Sequence, residues 1–441
     1  MVGSGKVRKY LLPVFLIVVM LVSVGVYTSY SVGSQPKPNP NVYVGVAFGG
    51  NTTEEAKALI DEVKGYTNLF ILDSGRNAIT QNETAVNEIC DYAVSNGLSV
   101  IVNVGVEAAG DNSRGWFWNQ PLTVSEQWKA MWGSKFLGMY YNDEPGGIQL
   151  DGNWSDWFSN YNPQIMKLLN SNSTERNSTS SEAFQRYAKT IEDLNQIYNK
   201  MIGYMNNGTS PSNYDLEANF FVNDIIEGDN GFSALKTAGV TTFTSDYGLY
   251  WWDYLGGYNV MFAELGWNCS VAEQIDLVKG AARMQGDQWG AMITWTYDQW
   301  PYLDSYDEVY NQMLTSYEAG AKYIAVFDYP PNSTEVGTMT DQQLFTLQKF
   351  WNDIHQEQFP NLSAPDAVLV LPQNYGWGMR NPNDTIWGFW LTDDKTLTIA
   401  MTTSTLLSRF GVSLDIVYAD PQYPVANVGY HHVYYWNQTG I

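Results

Sequence analysis

"FLGMYYNDEPGG", residues 136–147, is an apolar run that stops at Asn142, Asp143 and Glu144 and then turns on Pro145, Gly146 and Gly147. Proline has no N–H to give a ladder, and glycine accepts backbone conformations closed to other residues, so the run reads as a strand with a sharp end. A strand that ends on acids is what the mouth of a parallel barrel looks like, because catalytic groups there sit at the C-terminal ends of the strands. Whether these acids form a mouth or close a loop depends on what surrounds them.

Upstream, "VYVGVAFGG", "NLFILDSG" and "LSVIVNVGVE" alternate with helical patterns in "TTEEAKALIDEVKGYT", "ETAVNEICDYAVSNG" and "SEQWKAMWGSK". Strands separated by amphipathic helices predict a parallel sheet of βα units. The opening stretch is then the fourth strand. An insertion rich in Trp, Asn and Ser follows at about 148–181, and the pattern resumes with the long helix "EAFQRYAKTIEDLNQIYNKMIGYM". "EANFFVNDII" has the apolar density of a strand, but Leu216, Phe220, Phe221 and Ile225 recur at helical spacing, and it is read as helical. The remaining strands are "VTTFTSDYG", "NVMFAELGWN", "WGAMITWTYDQ" and "KYIAVFDYP", with helices starting at Ser270 and near Ser305 and Thr340. Eight strands predict a (β/α)8 TIM barrel over residues 42–360. Residues 361–441 read as strand, helix, strand and a last strand, a small α/β C-terminal domain packed on the barrel.

Residues 1–41 form a separate segment. Lys6, Arg8 and Lys9 precede an apolar run from Leu11 to about Tyr27, and "QPKPNPN" makes an extended spacer. This is an export signal or an uncleaved membrane anchor that leaves the rest of the chain outside the cell. Asn-x-Ser/Thr triplets at Asn51, Asn82, Asn153, Asn172, Asn177 and Asn332 agree with a glycosylated extracellular or cell-surface protein. Cys90 and Cys269 make no metal motif and leave a disulfide or two thiols open. With 46 acidic against 23 basic residues and a net charge of -23, the surface repels phosphates, which argues against nucleic acid as a partner.

Acids recur where the strands end: Asp73, Glu107, Asp143 with Glu144, Asp246, Glu264, Asp298 and Asp328. One such acid usually caps a helix or accepts loop N–H groups. Several converging on one mouth would repel each other and raise one another's pKa, a cost retained where the acids are used. Paired carboxylates suit glycosidic cleavage, one protonating the leaving oxygen while the other attacks or activates water. Aromatic residues make up 15% of the chain, and Tyr140, Tyr247, Trp251, Trp295 and Tyr297 lie near the same strand ends. A heavily packed barrel with rings at its rim accounts for such an excess as readily as rings stacking on sugar faces, with Asn142, Asp143, Asp246 and Asp328 binding hydroxyls. The three histidines fall late in the chain, so no His-based metal site or cofactor is expected in the barrel, though the carboxylates leave calcium open. No phosphate-binding glycine loop and no Gly-x-Ser-x-Gly elbow occurs.

At "YYNDEPGG" the chain resembles the TIM-barrel glycoside hydrolases of the β-galactosidase-like superclan, and it also resembles uncharacterised exported archaeal barrel proteins. The resemblance runs loosely over residues 42–355, and the C-terminal domain is similar to the domain after the barrel in one β-galactosidase family. It implies Glu144, at the end of the fourth strand, as acid/base. In that family a glutamate nucleophile ends the seventh strand, where "MITWTYDQW" offers Asp298; Glu264, on the sixth, is the other candidate. The expected function is a cell-surface glycoside hydrolase acting on a carbohydrate substrate. The alternative is a catalytically inactive barrel that binds glycans or serves in the envelope.

Overall fold

The computed structural model describes residues 42–73, 79, 82–103, 121–151, 214–227, 229–266, 269–294, 296, 302–329, 337–356 and 365–440. Eight parallel strands close into a barrel in chain order: β1 (Tyr43–Phe48), β2 (Leu69–Leu72), β3 (Ser99–Asn103), β4 (Phe136–Tyr140), β5 (Thr242–Asp246), β6 (Val260–Leu265), β7 (Gln288–Ile293) and β8 (Tyr323–Asp328). This is the expected TIM barrel. Alternate side chains fill its interior, among them Leu69, Ile71, Ile101, Tyr140, Phe243, Phe262, Met292 and Ala325, while their neighbours pack outward under the helices.

The helices outside start where the sequence signals them. Thr52 and Ser305 form capping boxes with Glu55 and Glu308 at the heads of α1 (Thr53–Val63) and the later helix Tyr306–Glu318, and Ser270 caps Val271–Gln285. Between α1 and Val271–Gln285 lie α2 (Glu83–Ser95), α3 (Pro121–Trp132), α4 (Pro145–Leu150), α5 (Tyr214–Phe220), α6 (Asn230–Ala238) and α7 (Tyr250–Gly256). Val271–Gln285 is therefore α8, Tyr306–Glu318 is α9, and Asp341–Gln356 is α10. "EANFFVNDII" is helical as read, α5 widening into a π-helical turn over Phe221–Ile226. The insertion expected at 148–181 lies outside the described residues from 152 onward, as do the export segment 1–41 and the predicted helix at 182–205. Among the described residues no helix is long and apolar enough to cross a membrane. Cys90 and Cys269 form no disulfide.

The C-terminal part is a three-stranded parallel sheet in the order β10-β9-β11, with β9 Ala367–Leu371, β10 Leu414–Tyr418, β11 His432–Tyr435 and α11 (Asp394–Phe410) connecting the first two. It is bolted to the barrel through α8. A Cβ on Gly280 would stand 2.5 Å from the Ile416 carbonyl oxygen, so only glycine lets the helix lie this close to β10. Beside it the buried Lys279 ammonium donates to Asp276 (3.0 Å) and to the carbonyls of Val412 (2.5 Å) and Leu414 (2.8 Å), and lies 3.3 Å from Asp415. Arg283 adds a 2.8 Å bond to the other Asp415 oxygen.

Much of the aromatic excess is spent here. Trp252 packs against Trp387 at 4.6 Å and Tyr418 at 4.4 Å, and Trp251 lies 6.0 Å from both Tyr418 and Tyr423. Trp251 is therefore corrected from a sugar-binding ring to a core residue, because α7 turns it away from the mouth and under the C-terminal sheet. Replacing Lys279 by Ala strands the buried Asp276 carboxylate and two carbonyls and takes one of its partners from Asp415, and denaturant unfolding should show a loss of about 3–5 kcal/mol, with Arg283→Ala costing less because that side chain is partly exposed.

Candidate active site

The period of two along each strand decides which acids face the mouth. Counting on from the inward residues Ile71, Ile101, Phe243 and Phe262, the same face carries Asp73, Asn103, Ser245 and Glu264, and Tyr140 is itself inward. Asn103 donates to Asp73 at the ends of β3 and β2. Asp246 and Asp328 have the opposite parity, and both are consumed by backbone. Asp328 accepts from the amides of Thr338 (2.7 Å) and Met339 (3.1 Å), and burial raises its pKa to about 6. Asp246 accepts from Gly146 (2.6 Å), Gly147 (2.8 Å) and Tyr247 (2.7 Å). Asp246 has both oxygens engaged and fixes the turn after β4, while Asp328 takes both of its bonds on Oδ1 and shapes a loop off the inward face of β8.

That turn is held along its length by the end of β5. Thr244 donates to the Asn142 carbonyl at 2.6 Å, the Glu144 amide donates to the Ser245 carbonyl at 3.2 Å, and Asp246 takes the next two free amides. Asn142 and Glu144 both adopt left-handed backbone, at φ 52° and 49°, a conformation that costs a non-glycine residue about 1–2 kcal/mol and persists where surroundings dictate it. The two glycines start α4 instead of opening a long loop. They are needed because a Cβ on Gly147 would fall 2.2 Å from the Tyr247 ring and one on Gly146 would fall 2.6 Å from the Gly248 carbonyl oxygen.

The strained turn sets Glu144 across the mouth from Glu264, near enough that the Glu264 charge bears directly on the Glu144 carboxyl. Burial first, then repulsion by Glu264, Asp143 and Asp246, holds the Glu144 carboxyl well above the usual carboxylate range. Glu264 is only 3% exposed and accepts a 2.5 Å bond from the Ser245 hydroxyl. Ser245 is 2.7 Å from the Tyr140 hydroxyl, which also bonds Asp143. Glu144, Glu264, Asp143 and Asn142 thus meet at one mouth, and Tyr140, expected to offer a ring to the sugar, is instead fully buried behind it. Tyr247 flanks it, its hydroxyl on Asp151 at 2.9 Å and its phenol raised by burial and by the charge of Glu144. Asp298, Trp295 and Tyr297 lie outside the described residues, as does Glu107. Among the described residues no group of three or more His, Cys, Asp or Glu side chains is arranged to hold a metal ion.

Three residues at or behind the site were not singled out from the sequence. Ser245 carries a signal, its inward parity beside Asp246. Arg380 carries none: it comes from the C-terminal part, bonds Asp151 at 2.6 Å and Asp384 at 2.8 Å, and lies 5.3 Å from the centre of the Tyr247 ring. Glu217, on α5, is fully buried behind α4 and accepts from Gln149 at 3.0 Å, while Gln149 also donates to the Trp387 carbonyl at 2.9 Å.

No protein-family model matches the sequence, and no curated protein matches it. Solved structures do share its fold. The GH5_18 glycoside hydrolase of Streptomyces cattleya, in complex with Manβ1-4GlcNAc, superposes with a TM-score of 0.50 at 11% identity, over 90% of this chain and 99% of that one. The β-galactosidase of the Antarctic haloarchaeon Halorubrum lacusprofundi gives 0.51 at 10% identity, over 89% of this chain and 69% of the other. At these identities the likeness is one of fold, the TIM barrel.

Glu217 makes the fold sensitive to pH. Burial raises its pKa from 4.5 to about 8, so the native state holds a proton that the unfolded chain releases. Its penalty is absent below pH 4.5, grows as pH rises towards 8 and is constant beyond, on the order of 4 kcal/mol. Glu217→Gln should match the wild type near pH 4 and be the more stable protein at pH 8 in urea unfolding curves. Equal pH dependence of the two proteins would refute this assignment.

Proposed function

We propose that the chain is a glycoside hydrolase in which Glu144 is the general acid/base and Glu264 its partner. The observation that carries this is that the two carboxyls face each other at the barrel mouth, from the ends of β4 and β6, with Glu264 the strongest of the charges acting on Glu144. An acid that must protonate a leaving oxygen at neutral pH needs a raised pKa, and Glu144 has one by burial and by the charges facing it. Ser245 donates to Glu264 and so favours its charged form, as suits a nucleophile or a base. The assignment rests on Glu264 because its charge acts on Glu144 more strongly than that of Asp143 or Asp246; Asp298 lies outside the described residues.

Facing carboxyls this near suit the separation of about 5–5.5 Å of retaining enzymes better than the roughly 6.5–9.5 Å of inverting ones, so retention of anomeric configuration is the expected outcome. Tyr247, with the half-buried Asn142 and Asp143, supplies the ring and polar groups of a carbohydrate subsite. The export segment and the sequons support a cell-surface location, with residues 11–27 as an anchor or as part of a cleaved signal. A second reading, a glycan-binding barrel without turnover, is supported by the sequence after β7, which offers Asp298 where a glutamate nucleophile would stand.

Hydrolysis of a panel of aryl glycosides and oligosaccharides separates the two. Glu144→Gln and Glu264→Gln should each lower kcat by about 10²–10⁴-fold with the fold intact by circular dichroism, and NMR of the first-formed product should show the retained anomer. Activity that survives Glu144→Gln removes the proposed role. Glycan binding without turnover in the wild type selects the second reading.

A further inference from the structure

The Glu144–Glu264 pair does not stand alone. From Glu264 a line of contacts runs outward to a half-buried acid: Ser245 Oγ to Glu264 Oε1 at 2.5 Å, Ser245 Oγ to Tyr140 Oη at 2.7 Å, and Tyr140 Oη to Asp143 Oδ1. Tyr140 is fully buried, Ser245 is 1% exposed and Glu264 is 3% exposed, whereas Asp143 lies at the rim. The Ser245 amide also donates to the Tyr140 oxygen at 3.0 Å, which fixes the phenol in line.

Oxygens at these separations repel unless a proton lies between them. Three contacts need three protons. The tyrosine and the serine hydroxyls supply one each, because each is a single donor. The third has to come from a carboxyl at one end of the line, Asp143 or Glu264. If Asp143 holds it, Asp143 donates to Tyr140, Tyr140 to Ser245 and Ser245 to Glu264, which is charged. If Glu264 holds it, every bond reverses and Asp143 is charged. One arrangement becomes the other when three protons each hop to the neighbouring oxygen, with no atom moving and no charge left inside the line.

We propose that Tyr140 and Ser245 form a proton relay joining Asp143 at the rim to the buried Glu264, so that the two acids hold one proton between them. Tyr140 and Ser245 are positioning residues in this scheme, acting on Glu264 from behind. The groups facing the line are Asp73 and Asn103 from β2 and β3, Glu144 beside Asp143, and Asp246 from β5; the charged forms of Asp73, Asp143 and Glu264 all oppose ionisation of the Tyr140 phenol, which keeps it a donor. The relay's use in turnover rests on the hydrolase reading: with a sugar filling the mouth, Glu264 could still exchange a proton with solvent through Asp143. The sharing of the proton does not depend on that reading.

Difference infrared spectroscopy of the ligand-free protein at neutral pH counts carboxylic protons directly. Two independent acids would respond unequally, since replacing the charged one removes no carboxylic proton. A shared proton predicts that Asp143→Asn and Glu264→Gln each remove one, because either new amide donates into the line and leaves the other acid charged. The double variant should also lose only one. Tyr140→Phe cuts the line at its middle and should release one as well. Should Tyr140→Phe fail to fold, the rim substitution Asp143→Asn carries the test. If either single substitution leaves the carboxylic count unchanged, the relay is wrong. In an active enzyme, Tyr140→Phe should also lower kcat with KM unchanged. An inactive wild type that still shows the shared proton would overturn the hydrolase reading and leave the relay standing.

Discussion

The candidate site depends on a single carboxylate that takes no part in its chemistry. Asp246, fully buried at the end of β5, accepts the free amides of Gly146 and Gly147 and its neighbour's amide as well. Burial of this acid raises its pKa, and the three N–H donors work against that rise. With those amides fixed, α4 can start only where it does, and the preceding residue, Glu144, is forced into left-handed backbone that points its side chain at Glu264. The reactive geometry is thus built by strain in one strand end and hydrogen bonds from the next.

The far end of α4 is held by the C-terminal part. Thr385 donates to the Leu150 carbonyl at 2.9 Å, Gln149 reaches the Trp387 carbonyl, and Arg380 clamps Asp151 beside Tyr247. Gly388 is pressed so close to Gln149 that a Cβ would lie 1.9 Å from its carbonyl oxygen. A six-residue helix has little stability of its own. Gripped at its start by β5 and at its end by the loop before α11, it becomes a rigid support. The C-terminal sheet, anchored on α8 through Lys279 and Gly280, therefore belongs to the architecture of the mouth.

The acids at the strand ends show how far the residue pattern reaches. Glu264 was legible as an inward residue, because Val260, Phe262 and Glu264 share one face of β6. The same count along β8 puts Asp328 outside with Val326, so its use as a backbone acceptor was also legible in principle. Trp251 was not. It follows a strand end by a few residues, as a mouth residue would, and only the packing of α7 under Tyr418 and Tyr423 decides that it is core. Arg380 was equally hidden, since more than two hundred residues separate it from Asp151 and no local period relates them.

By itself the sequence determined the order of strands and helices, the caps at Thr52, Ser270 and Ser305, the closure into eight strands and the end of β4 on Asn142, Asp143 and Glu144. These follow from local periodicity and from the chemistry of single residues, which act over a few positions of chain. The pairing of Glu144 with Glu264, the line through Tyr140 and Ser245, and the clamp from the C-terminal part were decided by tertiary structure alone. Each depends on polar interactions between residues far apart in the chain, and their distances are set by barrel closure and by the burial that makes an unpaired polar group costly.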